Sequence, residues 1–107
     1  MDINLDDVAV RDNEDAHRYE ARVGDQLATI VYHRSGDQIT FTHTETPMSL
    51  EGHGIAGKMA RTALEDARAQ HLGVVPRCPY VASYIRRHQE YMDLVVPSAR
   101  AMVERSS

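Results

Sequence analysis

Two glycine turns constrain the first half of this chain more than any other feature. Gly24-Asp25 and Ser35-Gly36-Asp37 separate three runs of strand-forming residues: Arg18–Val23, residues 26–34 and Gln38–Glu45. Gaps of two or three residues between such runs leave room only for antiparallel hairpins. In the third run, QITFTHTE, strict alternation puts Ile39, Phe41, His43 and Glu45 on one face. Thr40, Thr42 and Thr44 then take the other.

After Pro47 the period changes. A polar loop over residues 48–54 leads into residues 55–72, where Ile55, Met59, Ala63 and Ala67 recur on one stripe, flanked by Ala56, Ala60 and Leu64. Lys58, Arg61, Thr62, Glu65 and Arg68 fall outside it, so the segment reads as an amphipathic helix, with Gly73 as its stop. Val74-Val75 follows as a short buried strand, and a helix between two strands predicts a right-handed parallel crossover. Pro79 opens a second helix over residues 79–88, since proline suits the first helical position. The tail is expected to be partly helical around residues 98–104 and loosely held at its end. The 107 residues therefore predict one small α+β domain. Its twisted mixed sheet has three antiparallel strands, with residues 74–78 parallel to Gln38–Glu45, and two main helices.

Charge and cysteine content exclude several functions. Sixteen acids against twelve bases give −4, which disfavours nucleic acid as a partner. The acids crowd into residues 1–16, where Asp2, Asp6, Asp7, Asp12, Glu14 and Asp15 face a single Arg11. Cys78 is the one cysteine, so neither an internal disulfide nor a cysteine zinc site is expected. The six histidines show no metal-ligand spacing, and no metal is expected. No basic-then-apolar leader and no long apolar run occurs, so no membrane span is expected and a reducing cytoplasm fits.

The segment Gly52-His53-Gly54-Ile55-Ala56-Gly57-Lys58 joins strand to helix. Its glycines let successive N–H groups curl into one concavity, and the helix start adds unpaired N–H groups and a positive dipole end. That combination suits a phosphate or pyrophosphate. The spacing fits neither the P-loop nor the dinucleotide fingerprint. Further motifs accompany the loop: His43-Thr44-Glu45-Thr46-Pro47 before it, Ala67-Arg68, Cys78-Pro79-Tyr80-Val81, Tyr84-Ile85 and Arg87-His88-Gln89-Glu90-Tyr91 after it. As a set, over roughly residues 17–95, they resemble the GNAT superfamily of acyl-CoA N-acyltransferases, and more closely its very small predicted-acetyltransferase subgroup. The resemblance implies acetyl-CoA as co-substrate. It implies a pyrophosphate on the amides of Gly52, His53, Gly54, Ile55 and Ala56, with Gly57 and Lys58 beside it. It also implies a pantetheine arm along Phe41, Thr42 and His43, and a thioester near Cys78. The superfamily loop usually starts with Gln or Arg three residues before its first glycine. Ser49 stands there in this chain, and Glu51 lies next to the loop, which leaves Lys58 and Arg61 to meet the phosphates.

Acyl transfer to an amine needs a base, an oxyanion stabiliser and a proton for the departing thiolate. His43 and Glu45 are the candidate bases, and Tyr80 and Tyr84 the candidate proton donors. Cys78, at a helix start, faces the positive end of the dipole and is either a covalent acyl carrier or a residue lining the site. Each of these residues also has a structural role open to it: a packed strand histidine, a solvated strand end, a core tyrosine, a buried thiol. The leading expectation is an acetyl-CoA-dependent N-acyltransferase acting on an unidentified small-molecule or protein amine. The alternative is a non-catalytic acyl-CoA-binding regulatory module, because the chain has little length for an acceptor pocket. A third reading is a small interaction domain whose acidic segment docks a basic partner.

Overall fold

A computed structural model gives the fold over residues 3–106; Met1 and Asp2 of the acidic segment and Ser107 of the tail lie outside the described residues. The hairpins form as their turns require. Strands β2 (Arg18–Val23), β3 (Gln26–Ser35) and β4 (Gln38–Glu45) pair antiparallel, with Val23 opposite Gln26 and Ser35 opposite Gln38. Helix α1 (Ile55–Ala69) carries the chain to β5 (Gly73–Pro76), which runs parallel to β4 from Gln38↔Gly73 to Phe41↔Pro76. Helix α2 (Pro79–Arg87), a 3-10 stretch (Gln89–Leu94) and helix α3 (Arg100–Glu104) complete the chain.

A fourth antiparallel strand, unexpected from the sequence, lies inside the acidic segment. Residues Val10–Asn13, here β1, pair with β2 and give the sheet order β1-β2-β3-β4-β5. Asp12 sits on the helix-covered face of this edge strand and accepts a 2.7 Å hydrogen bond from the Tyr32 hydroxyl. Carboxylates do the same for two other tyrosines. Tyr19 donates to Asp66 of α1 at 2.9 Å, and Tyr91 donates to Glu65 at 2.7 Å. Each phenol is held above its ordinary pKa, by burial first and by its carboxylate partner next, and Tyr91 reaches about 12.

Both main helices pack on one sheet face. The core there combines Tyr19, Ala21, Ala28, Ile30, Tyr32, Ile39 and Phe41 with Met59, Ala63, Leu64, Val81 and Ile85, all buried. The opposite face carries Arg11, Asn13 and Arg18 around Glu20, whose carboxyl is held below its usual range chiefly by Arg18.

Three boundaries differ from expectation. Helix α1 ends at Ala69, where His71 takes a left-handed turn at φ 56° and the Leu72 N–H closes back on the Ala67 carbonyl. Gly73 is therefore no helix stop. It opens β5 where a Cβ would lie 2.7 Å from Val96 Cγ1, so the next segment approaches too closely for a side chain. Strand β5 stops at Pro76, before Arg77 and Cys78.

The face assignment in β4 is also corrected. Its register with β3 shifts between Val31 and Tyr32, so that Tyr32 faces Phe41 but Val31 faces His43. Thr42 is the extra residue of a β-bulge, and beyond a bulge the alternation inverts. Thr44, opposite the buried Ile30, thus joins the Phe41 face, whereas His43 and Glu45 turn to the open one.

Candidate functional site

Strand β5 ends level with Phe41, but β4 continues to Glu45. Thr42 to Glu45 therefore have no strand partner on that side among the described residues, and a wedge opens where the parallel pairing ends. The Cys78 N–H donates to the Phe41 carbonyl at 2.8 Å and pins the start of α2 at its apex. Just beyond, Thr44 Oγ1 lies 2.9 Å from Cys78 Sγ. Cys78 is the residue before the first turn of α2, followed by Pro79, and only 2% of it is exposed.

A groove of about 530 Å³ runs from the end of β4 to the start of α1. Thr44, Glu45 and Thr46 form one wall, Gly52, Gly54, Ile55 and Ala56 the loop end, and Tyr80 the side of α2. Gly52 and Gly54 have φ of 80° and 81°, the left-handed region that L side chains rarely enter. Gly54 precedes Ile55 at the start of α1, and its carbonyl takes the Lys58 N–H as the first helical hydrogen bond. The N–H groups of Ile55, Ala56 and Gly57 thus have no helical acceptor, and the loop presents them with the dipole's positive end.

The sequence candidates disperse around this groove. Glu45 lines it; His43, on the same open face and with its side chain 65% exposed, brings Nε2 to 3.9 Å from Glu45 Oε2. Of the two tyrosines, Tyr80 faces the groove, and burial raises its phenol pKa although Arg87 pulls the other way. Tyr84 is stacked on His88 at 4.0 Å, is likewise raised by burial, and borders a smaller cavity with Leu5, Asp6 and Arg61. His53 is exposed in the loop. Lys58 donates to the carbonyls of Leu5 at 2.7 Å and Val8 at 2.6 Å, which commits its charge to tying the N-terminal segment across α1. Arg61, exposed one turn on, makes no side-chain hydrogen bond among the described residues. No cluster of metal-binding side chains occurs among the described residues. No described helix is long and apolar enough to cross a membrane.

Thr44, His43 and Glu45 are the residues that sequence reasoning placed on the wrong faces. The threonine alternation of QITFTHTE carries no mark of the bulge that turns Thr44 inward.

A splayed parallel pair, a glycine loop at a helix start and a helix opening at the wedge apex now stand together. The model of the GCN5-related N-acetyl-transferase family matches residues 18–94, more than two thirds of the chain. The chain belongs to that family. Its match begins with β2 and ends with the 3-10 stretch, so it takes in the wedge, the loop and both main helices. The family's general chemistry is acyl transfer. No curated protein matches the chain closely.

Proposed function

We propose that the chain is an acetyl-CoA-dependent N-acyltransferase, acting in the cytoplasm on an amine. The observation that carries this reading is the groove joining the loop of Gly52 and Gly54 to the wedge, because an acyl-CoA needs an anion cradle and an acyl slot in one continuous channel. The loop suits a pyrophosphate: two left-handed glycines bare the backbone, and three helix-start N–H groups lack acceptors among the described residues. Arg61 supplies the free positive charge nearby, while Lys58 stays with the N-terminal segment. When bound, acetyl-CoA supplies an activated thioester.

The chain's own groups divide the remaining work. Thr42 to Glu45 offer an unpaired strand edge along which an extended arm can lie. His43 takes a proton from the acceptor amine, with the Glu45 carboxylate beside its ring. Tyr80, kept protonated by burial, holds a proton at the groove wall for a departing thiolate. Cys78 lines the apex.

Calorimetry with acetyl-CoA tests the reading. Gly54→Val puts a branched side chain at φ 81°, 3.2 Å from Leu5 Cδ2. A folded variant should lose affinity by about tenfold or more; unchanged affinity would remove the loop from the site. The second reading, a non-catalytic acyl-CoA-binding module, draws on the burial of Cys78 and the Thr44 contact that spans the wedge. Tight acetyl-CoA binding without transfer to any amine decides for it.

A further inference from the structure

The first turn of α2 separates two cavities of opposite character. Tyr80 borders the groove already described; Ala82, about 200° further round the helix, borders a second cavity of about 390 Å³. Its walls are apolar, from Pro76, Pro79, Ala82 and Met102. Its charges are Arg77 and Arg105, Ser106 adds a hydroxyl, and no carboxylate lines it among the described residues, whereas Glu45 and Glu51 line the groove. Arg77 and Pro79 flank Cys78 in the chain, so this cavity lies next to the buried apex residue, on the far side of α2 from the glycine loop.

The cavity is built by the tail. Arg86 of α2 donates to the Glu104 carbonyl at 2.9 Å and to the Ser106 carbonyl, and Val103 is fully buried beneath. These contacts hold Met102 and Arg105 against the start of α2. Arg105 spends only Nε, on the Ala101 carbonyl at 3.2 Å, and Arg77 makes no side-chain hydrogen bond or ion pair among the described residues. Two guanidiniums thus line one largely apolar-walled cavity with free donors, and no anion stands between them among the described residues. Such an arrangement suits a carboxylate or phosphate, whose oxygens accept from both.

We propose that this cavity selects the acceptor: a small amine bearing an anionic group, which rests on Arg77 and Arg105 while its carbon chain lies along Pro76, Pro79 and Met102. This deepens the acyl-transfer reading and rests on it. The amine nitrogen forms the new amide bond as the thioester C–S bond breaks. The one proton that the neutral amine loses passes to His43, and Tyr80 gives its proton to the departing thiolate, to be restored from His43 through solvent.

The test uses ω-amino carboxylates from β-alanine to ε-aminocaproate, their primary amides, and phosphoethanolamine as the phosphate arm. With the wild-type chain and acetyl-CoA, at least one anionic amine should be acetylated with kcat/KM about tenfold or more above its neutral counterpart. The double variant Arg77→Gln/Arg105→Gln should lose that preference and keep its acetyl-CoA affinity. Equal turnover of acids and amides, or equal loss for both in the variant, overturns the proposal. A binding readout separates it from the function on which it rests. N-acetyl-β-alanine and acetyl phosphate, titrated by heteronuclear NMR, should saturably shift the Ala82 and Arg105 amides of the wild type and not of the variant. If acetyl-CoA binds, no amine is acetylated and these shifts appear, the acyl-transfer reading fails and the anion site stands. Shifts confined to Gly52 and Gly54, or none, overturn the site.

Discussion

The two halves of β4 share a strand but not a neighbourhood. Gln38 to Phe41 pair on both sides, with β3 and β5, and Ile39 and Phe41 are 3% and 0% exposed. His43 to Glu45 pair with β3 alone, and His43 and Glu45 stand largely in solvent. The bulge at Thr42 marks the boundary. The difference teaches where this small chain keeps its stability and where it keeps its free hydrogen-bonding edge. A strand closed on both sides is all fold; the same strand freed on one side has donors and acceptors left to offer a ligand.

Phe41→Ala should break the comparison at its stable end. Removing a fully buried ring from the core is expected to cost about 3–5 kcal/mol, measured by denaturant unfolding. Glu45→Ala, four residues on, should change stability by about 0.5 kcal/mol or less. Similar costs for both would show that the splayed end is as much part of the core as the paired end.

His43→Gln tests the functional end. With stability near wild type, acetyl transfer should fall about a hundredfold or more, the range for loss of a general base, and acetyl-CoA affinity should hold. If Glu45→Gln falls that far and His43→Gln does not, the carboxylate is the base.

The legibility of the chain follows the same divide. Gly24 and Gly36 fixed two hairpins, and the helical stripe of Ile55, Met59 and Ala63 fixed α1, because these signals are local. The parallel pairing of β4 with β5 followed from topology. The bulge at Thr42 was illegible, since it arises from how β3 and β4 settle against the core, and QITFTHTE reads as unbroken alternation. Strand β1 was hidden for a different reason. VRDN has little strand propensity, and it forms because β2 offers an edge and Tyr32 needs an acceptor at Asp12. The loop was readable from Gly52 and Gly54, but the commitment of Lys58 to Leu5 and Val8 was not, for it joins segments fifty residues apart. The tail's cavity was likewise out of reach, since it depends on Arg86 gripping carbonyls.

Alkaline pH should sharpen the comparison. Tyr19, Tyr32 and Tyr91 each donate to a carboxylate in the folded half, and no tyrosine stands in the splayed end of β4. Their folded pKa values lie above the unfolded value of 10.0. The folded state therefore holds these protons longer than the unfolded chain does. Their contribution is complete below about pH 10 and is lost as pH rises, through about 12 for Tyr91 and further for the other two. Urea midpoints should fall steadily above that point, and Tyr91→Phe should flatten part of the slope. A midpoint that holds constant while tyrosine absorbance titrates would contradict the assignment.

The smallest expected effect lies at the boundary itself. Cys78 and Thr44 touch across the wedge, one from the helix that closes it and one from the strand that leaves it. A thiol there has two possible parts to play. As a covalent carrier it would take the acyl group before the amine does; as a lining residue it would only shape the apex. An unprotonated aliphatic amine attacks a thioester readily, so chemistry does not demand the carrier, and burial to 2% exposure favours the lining role. Cys78→Ala should then lower transfer by about threefold and cost about 1 kcal/mol of stability through lost packing. Thr44→Val should behave alike, since each removes one side of the same contact. A fall of several orders of magnitude in Cys78→Ala, with acetyl-CoA affinity kept and an acetyl mass on the wild-type thiol, would make Cys78 the carrier. The apex of the wedge would then be reacting machinery, and the line between fold and function would run through α2 as well as through β4.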